Sequence, residues 1–94
     1  MLNQVVLVGR LNEIREVNDE IIVTLKVHIS FSAEDLENTR LIECVLRNQI
    51  AKNVKDICKI DDLMGIKGYV DSINVEGQQK LIIVAEKVTI LSSK

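Results

Sequence analysis

Apolar positions recur along most of this chain with a period of two. Ile21, Val23, Leu25, Val27 and Ile29 alternate with Thr24, Lys26 and His28, which predicts a strand with one core face and one solvent face. A one-residue slip would invert every side chain, so the register is well specified. Val5 to Leu11 is a nearly continuous apolar run, broken by Gly9 and Arg10, as expected of a strand buried on both faces or bent at the glycine. Asn18-Asp19 predicts a turn that folds residues 13 to 17 back on residues 20 to 24, and Leu41 to Leu46 reads as a third strand. The period then lengthens. Ile50, Val54, Ile57 and Cys58 form one stripe of a short helix, with Lys52, Lys55, Asp56 and Lys59 opposite, Asn48 as its N-cap and Asp61-Asp62 as its end. Strand resumes from Leu63 to Ile73, with Met64, Ile66 and Val70 facing one way and Lys67, Tyr69 and Asp71 the other; Gly65 and Gly68 invite curvature. Glu76-Gly77-Gln78 reads as a turn before a last strand, Leu81 to Leu91.

Composition narrows the picture. A chain of 94 residues is one domain, residues 1–94, with a thin margin of stability. Phe31 and Tyr69 are its only aromatics and it has no Trp or Pro, so its core must be built from Leu and β-branched residues. No apolar run approaches the roughly 18 residues of a membrane span, and no targeting segment opens the chain; a soluble, cytoplasmic protein with no membrane partner is expected. Cys44 and Cys58 are too few and too far apart for a disulfide framework or zinc site and read as reduced packing residues. His28 has no second ligand at suitable spacing, so neither metal nor cofactor is expected. No phosphate loop and no nucleophile–His pairing appears, which argues against an enzyme. The net charge of −2 confines any phosphate-binding surface to a local patch.

Three strands, one short helix and two strands, in that order, match the all-β, five-stranded oligonucleotide-binding (OB) barrel, whose helix lies between strands three and four. The opening Met1-Leu2-Asn3-Gln4-Val5-Val6-Leu7-Val8-Gly9-Arg10-Leu11 resembles the first strand of bacterial single-stranded DNA-binding proteins. Val23-Thr24-Leu25-Lys26-Val27, Ile42-Glu43-Cys44-Val45, Ala51-Lys52-Asn53-Val54, Leu63-Met64-Gly65-Ile66-Lys67-Gly68 and Val84-Ala85-Glu86-Lys87-Val88-Thr89-Ile90-Leu91 extend the resemblance in order over the whole chain. It implies an OB barrel that binds single-stranded DNA with little sequence preference, in replication, repair and recombination. In the family, bases stack on exposed aromatic rings, each stack being worth about 1 to 3 kcal/mol. Aligned on the family, this chain keeps Phe31, carries Leu41 and Arg47 at two further aromatic positions, and has Val75 nearest the one in the last hairpin. Three lost stacks amount to roughly 3 kcal/mol, on the order of a hundredfold in affinity. The family's acidic tail has no counterpart before Lys94, so tail-mediated recruitment is not expected. In this the chain resembles the primosomal replication protein N relative, a tailless dimer that meets both single-stranded DNA and replication-restart proteins.

The candidate nucleic-acid-binding residues are Arg10, Lys26, Phe31, Arg47, Lys67 and Tyr69. Each has a second reading. Phe31 could stack on a base or plug one end of the barrel, and Tyr69 could touch DNA or a neighbouring subunit. Arg10 could bind phosphate or pair with a carboxylate. Lys26, Arg47 and Lys67 could share the outer barrel face as a phosphate track or form an ordinary solvated surface, although Arg47 could also stack on a base. Two acidic groups, Glu13, Glu16, Asp19 and Glu20 in the first hairpin and Glu34, Asp35 and Glu37 after Phe31, would repel a phosphate backbone. Weak, salt-sensitive binding is the expectation. Two functions stay open, a single-stranded DNA-binding module and an oligomeric protein-interaction OB module that has given up most nucleic-acid binding; the same face could also accept RNA. A barrel edge needs cover, and Val5, Val6, Leu7 and Val8 are the candidate contact for a homodimer or a homotetramer of two dimers.

Overall fold

The computed structural model describes residues 2–28 and 38–93, so the expectations placed on Ile29, Phe31, Glu34, Asp35 and Glu37 lie outside the described residues. Its elements are β1 (Val5–Val17), β2 (Glu20–His28), β3 (Thr39–Leu46), α1 (Asn48–Ile57), β4 (Leu63–Val75) and β5 (Gln78–Ser92). The strands close into a barrel in the order β1-β2-β3-β5-β4. All neighbours are antiparallel except β3 and β5, which meet in parallel through only Cys44↔Ile83 and Val45↔Val84.

β1 does the work of two strands. Its first half pairs with β4, from Val5↔Gly68 to Arg10↔Leu63, and its second half with β2, from Arg10↔Lys26 to Val17↔Glu20. A bulge between Leu11 and Glu13 marks the exchange of partners. The extra residue lets Leu11 and Ile14, three apart, both face the core, while the added bend carries the strand around the barrel. β1 thus has a partner along its whole length, but each half has only one: among the described residues, residues 5–9 pair with β4 alone and residues 11–17 with β2 alone. On the β4 side the side-chain amide of Asn3 prolongs the ladder, since its Oδ1 accepts from Val70 N (2.7 Å) and its Nδ2 donates to Val70 O (3.1 Å).

The core is aliphatic, as composition requires: Leu11, Val23, Leu25, Leu46, Met64 and Ile66 are sealed inside with Cys44. Burial pushes the Cys44 thiol up to about 12 and raises Cys58 as well, in keeping with packing residues that stay protonated. Thr24, expected on the solvent side, is buried. It is the cross-strand partner of both Glu13 and Glu43, and Arg15 joins those two carboxylates across it. Two glycines mark places where strands come too close for a side chain: a Cβ on Gly68 would overlap the Val84 carbonyl oxygen, and one on Gly9 would stand 2.6 Å from that of Lys26.

Helix α1 departs from its expected pattern at both ends. Asn48 is not the N-cap; Arg47 holds that position without a side-chain capping bond, and Asn48 takes a left-handed φ of 56° that swings the chain from strand into helix. Ala51 and Val54 make the buried contact, whereas Ile57 is exposed because the helix only spans the barrel end and its last turn overhangs. The helix stops at Ile57, ahead of Asp61-Asp62, and the loop that follows is tied to the bulge by Asp61 N to Leu11 O (2.8 Å) and Leu11 N to Asp62 O (2.9 Å). The last hairpin is longer than its sequence pattern suggests. Glu76 and Gly77, both at positive φ, form a two-residue turn, so that β5 starts at Gln78 rather than Leu81.

Candidate functional site

Strand alternation sorts the outward side chains into rows. On β2 the outer row is Glu20, Ile22, Thr24, Lys26 and His28, and on β3 it is Leu41, Glu43, Val45 and Arg47, because Ile21, Val23, Leu25, Cys44 and Leu46 go inward. Having met at Cys44 and Val45, β3 and β5 diverge, and the long β4–β5 hairpin continues past the barrel. The result is a groove of about 630 Å³, floored by Ile22, Ile42, Val45, Ile82 and Ile83 and rimmed by Leu41, Ile73, Leu81, Glu20, Glu43, Arg47 and Lys80. Its lining is mostly aliphatic. A nucleobase would therefore meet flat apolar contact here, with charged groups at the edges for a backbone.

The five described candidate binding residues do not gather in one place. Arg10 and Lys26 are direct cross-strand partners, and Lys26 is in turn opposite Leu41, so these three form a row that leads into the groove. Arg10 is also tied down, its Nη1 donating to the Asp61 carbonyl at 3.1 Å. Arg47 lies at the other end of the groove beside Tyr69 and Asp71, with its Nε bonded to Glu20 Oε2. That bond to Glu20 holds the guanidinium still more firmly protonated, and Tyr69 and Asp71 add smaller attractions in the same direction. Tyr69 is half-buried over Val84, its cross-strand partner. Lys67 stands apart. It pairs with Val6 and Lys87 on the side formed by β1, β4 and β5, so of its two readings the track shared with Lys26 and Arg47 is not the one the pairing favours: alternation puts all three outward, but barrel curvature turns β4 away. Phe31 lies outside the described residues.

The structure adds residues that the sequence pattern did not single out. Lys80, Leu81 and Ile82 line the groove, but nothing in the alternation of β5 distinguishes them from other strand residues. Glu20 was legible only as negative charge and Glu43 only as part of a strand; that they hold Arg47 and Arg15 depends on which strands become neighbours. Along the unpaired edge of β1, Val6 and Val8 are exposed, whereas Leu7 turns inward and packs on the core and Val5 is half-buried. Of the four residues expected at a subunit contact, two therefore offer side chains to a partner.

Among proteins of known role, a single-stranded DNA-binding protein of Listeria innocua is 37% identical over an alignment that covers all of this chain and 66% of the relative. One from Streptococcus pyogenes is 36% identical over 84% of this chain and 53% of its own length. The chain thus spans between about half and two thirds of the length of these relatives. In architecture it superposes on a small single-stranded DNA-binding protein from Mycoplasma pneumoniae with a TM-score of 0.75 at 22% identity, covering 100% of this chain and 99% of that one. A mitochondrial single-stranded DNA-binding protein from Saccharomyces cerevisiae superposes with a TM-score of 0.78 at 13% identity over 98% and 97% of the two chains. No family model matches the chain.

Proposed function

Because the chain belongs to the bacterial single-stranded DNA-binding protein family, we propose that it binds single-stranded DNA along the β3–β5 groove, as a binding protein and not an enzyme, in support of replication, repair and recombination. The observation that carries the reading is the groove itself: an apolar trough on the outer barrel face, with Arg47 and Lys80 in its rim and the Arg10–Lys26 row leading to it. Bases lie against Leu41, Ile73 and Ile82 while cations at the rim meet phosphates, which gives little sequence preference and marked salt sensitivity. Among the described residues the groove lining offers no aromatic platform, so each base is held there less firmly than by stacking and affinity is modest. Lys67 and Lys87 offer a separate cationic strip that a longer strand reaches around the barrel.

The assembly we propose is a homodimer, or a homotetramer of two dimers, formed along the open edge of residues 5–9, working in the cytoplasm with replication or restart proteins as further partners. The second reading, a protein-interaction barrel, draws support from Glu20, Glu43 and Asp71 on or beside the groove. One titration separates them: fluorescence anisotropy of labelled oligo-dT across a salt series, with Arg47→Glu and Phe31→Ala beside the parent. Saturable binding that weakens with salt and with each substitution is expected. Absence of binding at low salt would transfer the groove to a protein partner. Competition with the matched RNA strand reads the sugar preference, since the 2′-hydroxyl is the discriminating group.

A further inference from the structure

Arg47 enters the groove already occupied. Its guanidinium Nε meets the Glu20 carboxylate across β2 and β3, both side chains belong to the groove lining, and both remain about two-fifths exposed, at 42% and 41%. Arg15 repeats the arrangement one row away, held by Glu43, which also lines the groove, and by Glu13. Lys80, in the same lining, has no ion pair among the described residues. Arg47 and Arg15, whose guanidiniums suit a phosphate well, are thus each already served by an internal carboxylate that lines the groove.

We propose that Glu20 is an internal competitor of the nucleic-acid backbone: it holds Arg47 in the free protein, and a strand entering the groove must displace it. The proposal rests on the nucleic-acid reading given above. A carboxylate and a phosphate offer a guanidinium the same pair of oxygen acceptors. Glu20 is tethered to the neighbouring strand and so acts at high effective concentration, whereas a phosphate arrives from solution. Arg47 therefore contributes only the difference between two similar bonds. The displaced carboxylate, still in the groove, adds repulsion that the strand must overcome. Two consequences follow for the free-energy balance: affinity is set lower than the cations of the face would allow, and fewer phosphates are neutralised than there are cations to meet them.

The test is a double-mutant cycle read by anisotropy of labelled oligo-dT from low to moderate salt, with parent, Glu20→Gln, Arg47→Gln and the double variant, each checked for an unchanged thermal melt. Glu20→Gln is expected to bind roughly tenfold more tightly at low salt, with a salt slope steeper by about 0.7, the value of one more phosphate on a single strand. In the Arg47→Gln background the same substitution is expected to gain about twofold or less, from the general loss of one negative charge. An equal gain with and without Arg47, or no gain over a parent that does bind, overturns the competition and leaves the DNA-binding reading standing. Failure of both parent and Glu20→Gln to bind at any salt removes that reading and this proposal with it.

Discussion

At Gly68, β4 runs so close to β5 that a Cβ would occupy the space of the Val84 carbonyl oxygen. Backbone, unlike a flexible side chain, cannot step aside cheaply, so Gly68→Ala is expected to cost about 3 kcal/mol, seen as a lower urea midpoint at constant m-value. Gly65 is the control. The same Cβ there would find only Leu91 Cδ1 at 3.7 Å, and Gly65→Ala should stay within about 0.5 kcal/mol of the parent. Indistinguishable melts for the two variants would refute the close approach. Both glycines sit in one stretch of sequence that invites curvature, yet only one is sterically required. That distinction was not legible, since it depends on the passage of β5, which lies more than ten residues further along the chain. The same limit applies to Arg47 and Glu20: each charge is visible in the sequence, their union is not.

At the scale of elements, alternation, one continuous apolar run and turn chemistry located the strands and the 3.6-residue stripe located the helix, but the ends were set by neighbours. β3 begins at Thr39 rather than Leu41 because β2 supplies His28 and Val27 as partners, and β5 begins at Gln78 because Asn74 Oδ1 accepts from Gly77 N (3.0 Å) and closes a tight turn. Phase changes were present in the sequence. Leu7, Gly9 and Leu11 are odd-numbered and Ile14 is even, which is the signature of the bulge. Asn3 shows the opposite case, a residue outside any strand that completes a ladder. Asn3→Ala should speed amide exchange at Val70 and lower stability by about 1 kcal/mol. Asn3→Asp should cost more, because a carboxylate can accept from Val70 N but must then face the Val70 carbonyl. Unchanged Val70 exchange in Asn3→Ala would show that the side chain does not serve the strand edge.

Over the whole molecule, closure into a barrel leaves strand edges without partners among the described residues, among them residues 5–9 of β1 and the projecting β4–β5 hairpin beyond the barrel. The β1 edge is apolar, with Val6 66% and Val8 49% exposed. An apolar strand edge with free backbone groups pairs readily with its own symmetry mate. Light scattering at micromolar concentration is therefore expected to report a dimer or tetramer, and Val6→Lys with Val8→Lys to report a folded monomer, since both side chains already face outward. A monomeric parent would end this claim. In the proposed oligomer a strand leaving one groove would meet the cationic Lys67–Lys87 side next to the proposed contact at Val6, the cross-strand neighbour of Lys67.

The order of elements, the aliphatic core, the outward placement of Lys26, Arg47 and Lys67 and the family resemblance all came from the chain alone, because period and local turn chemistry depend on near neighbours in sequence. Tertiary structure decided which outward residues share a surface. It joined Arg47 to Glu20, Arg15 to Glu43 and Lys26 to Arg10, and it separated Lys67 from all of them. The reason is geometric: alternation fixes the side of a strand on which a residue lies, whereas register, bulges and barrel curvature fix what stands opposite, and those follow from contacts between segments far apart in the chain.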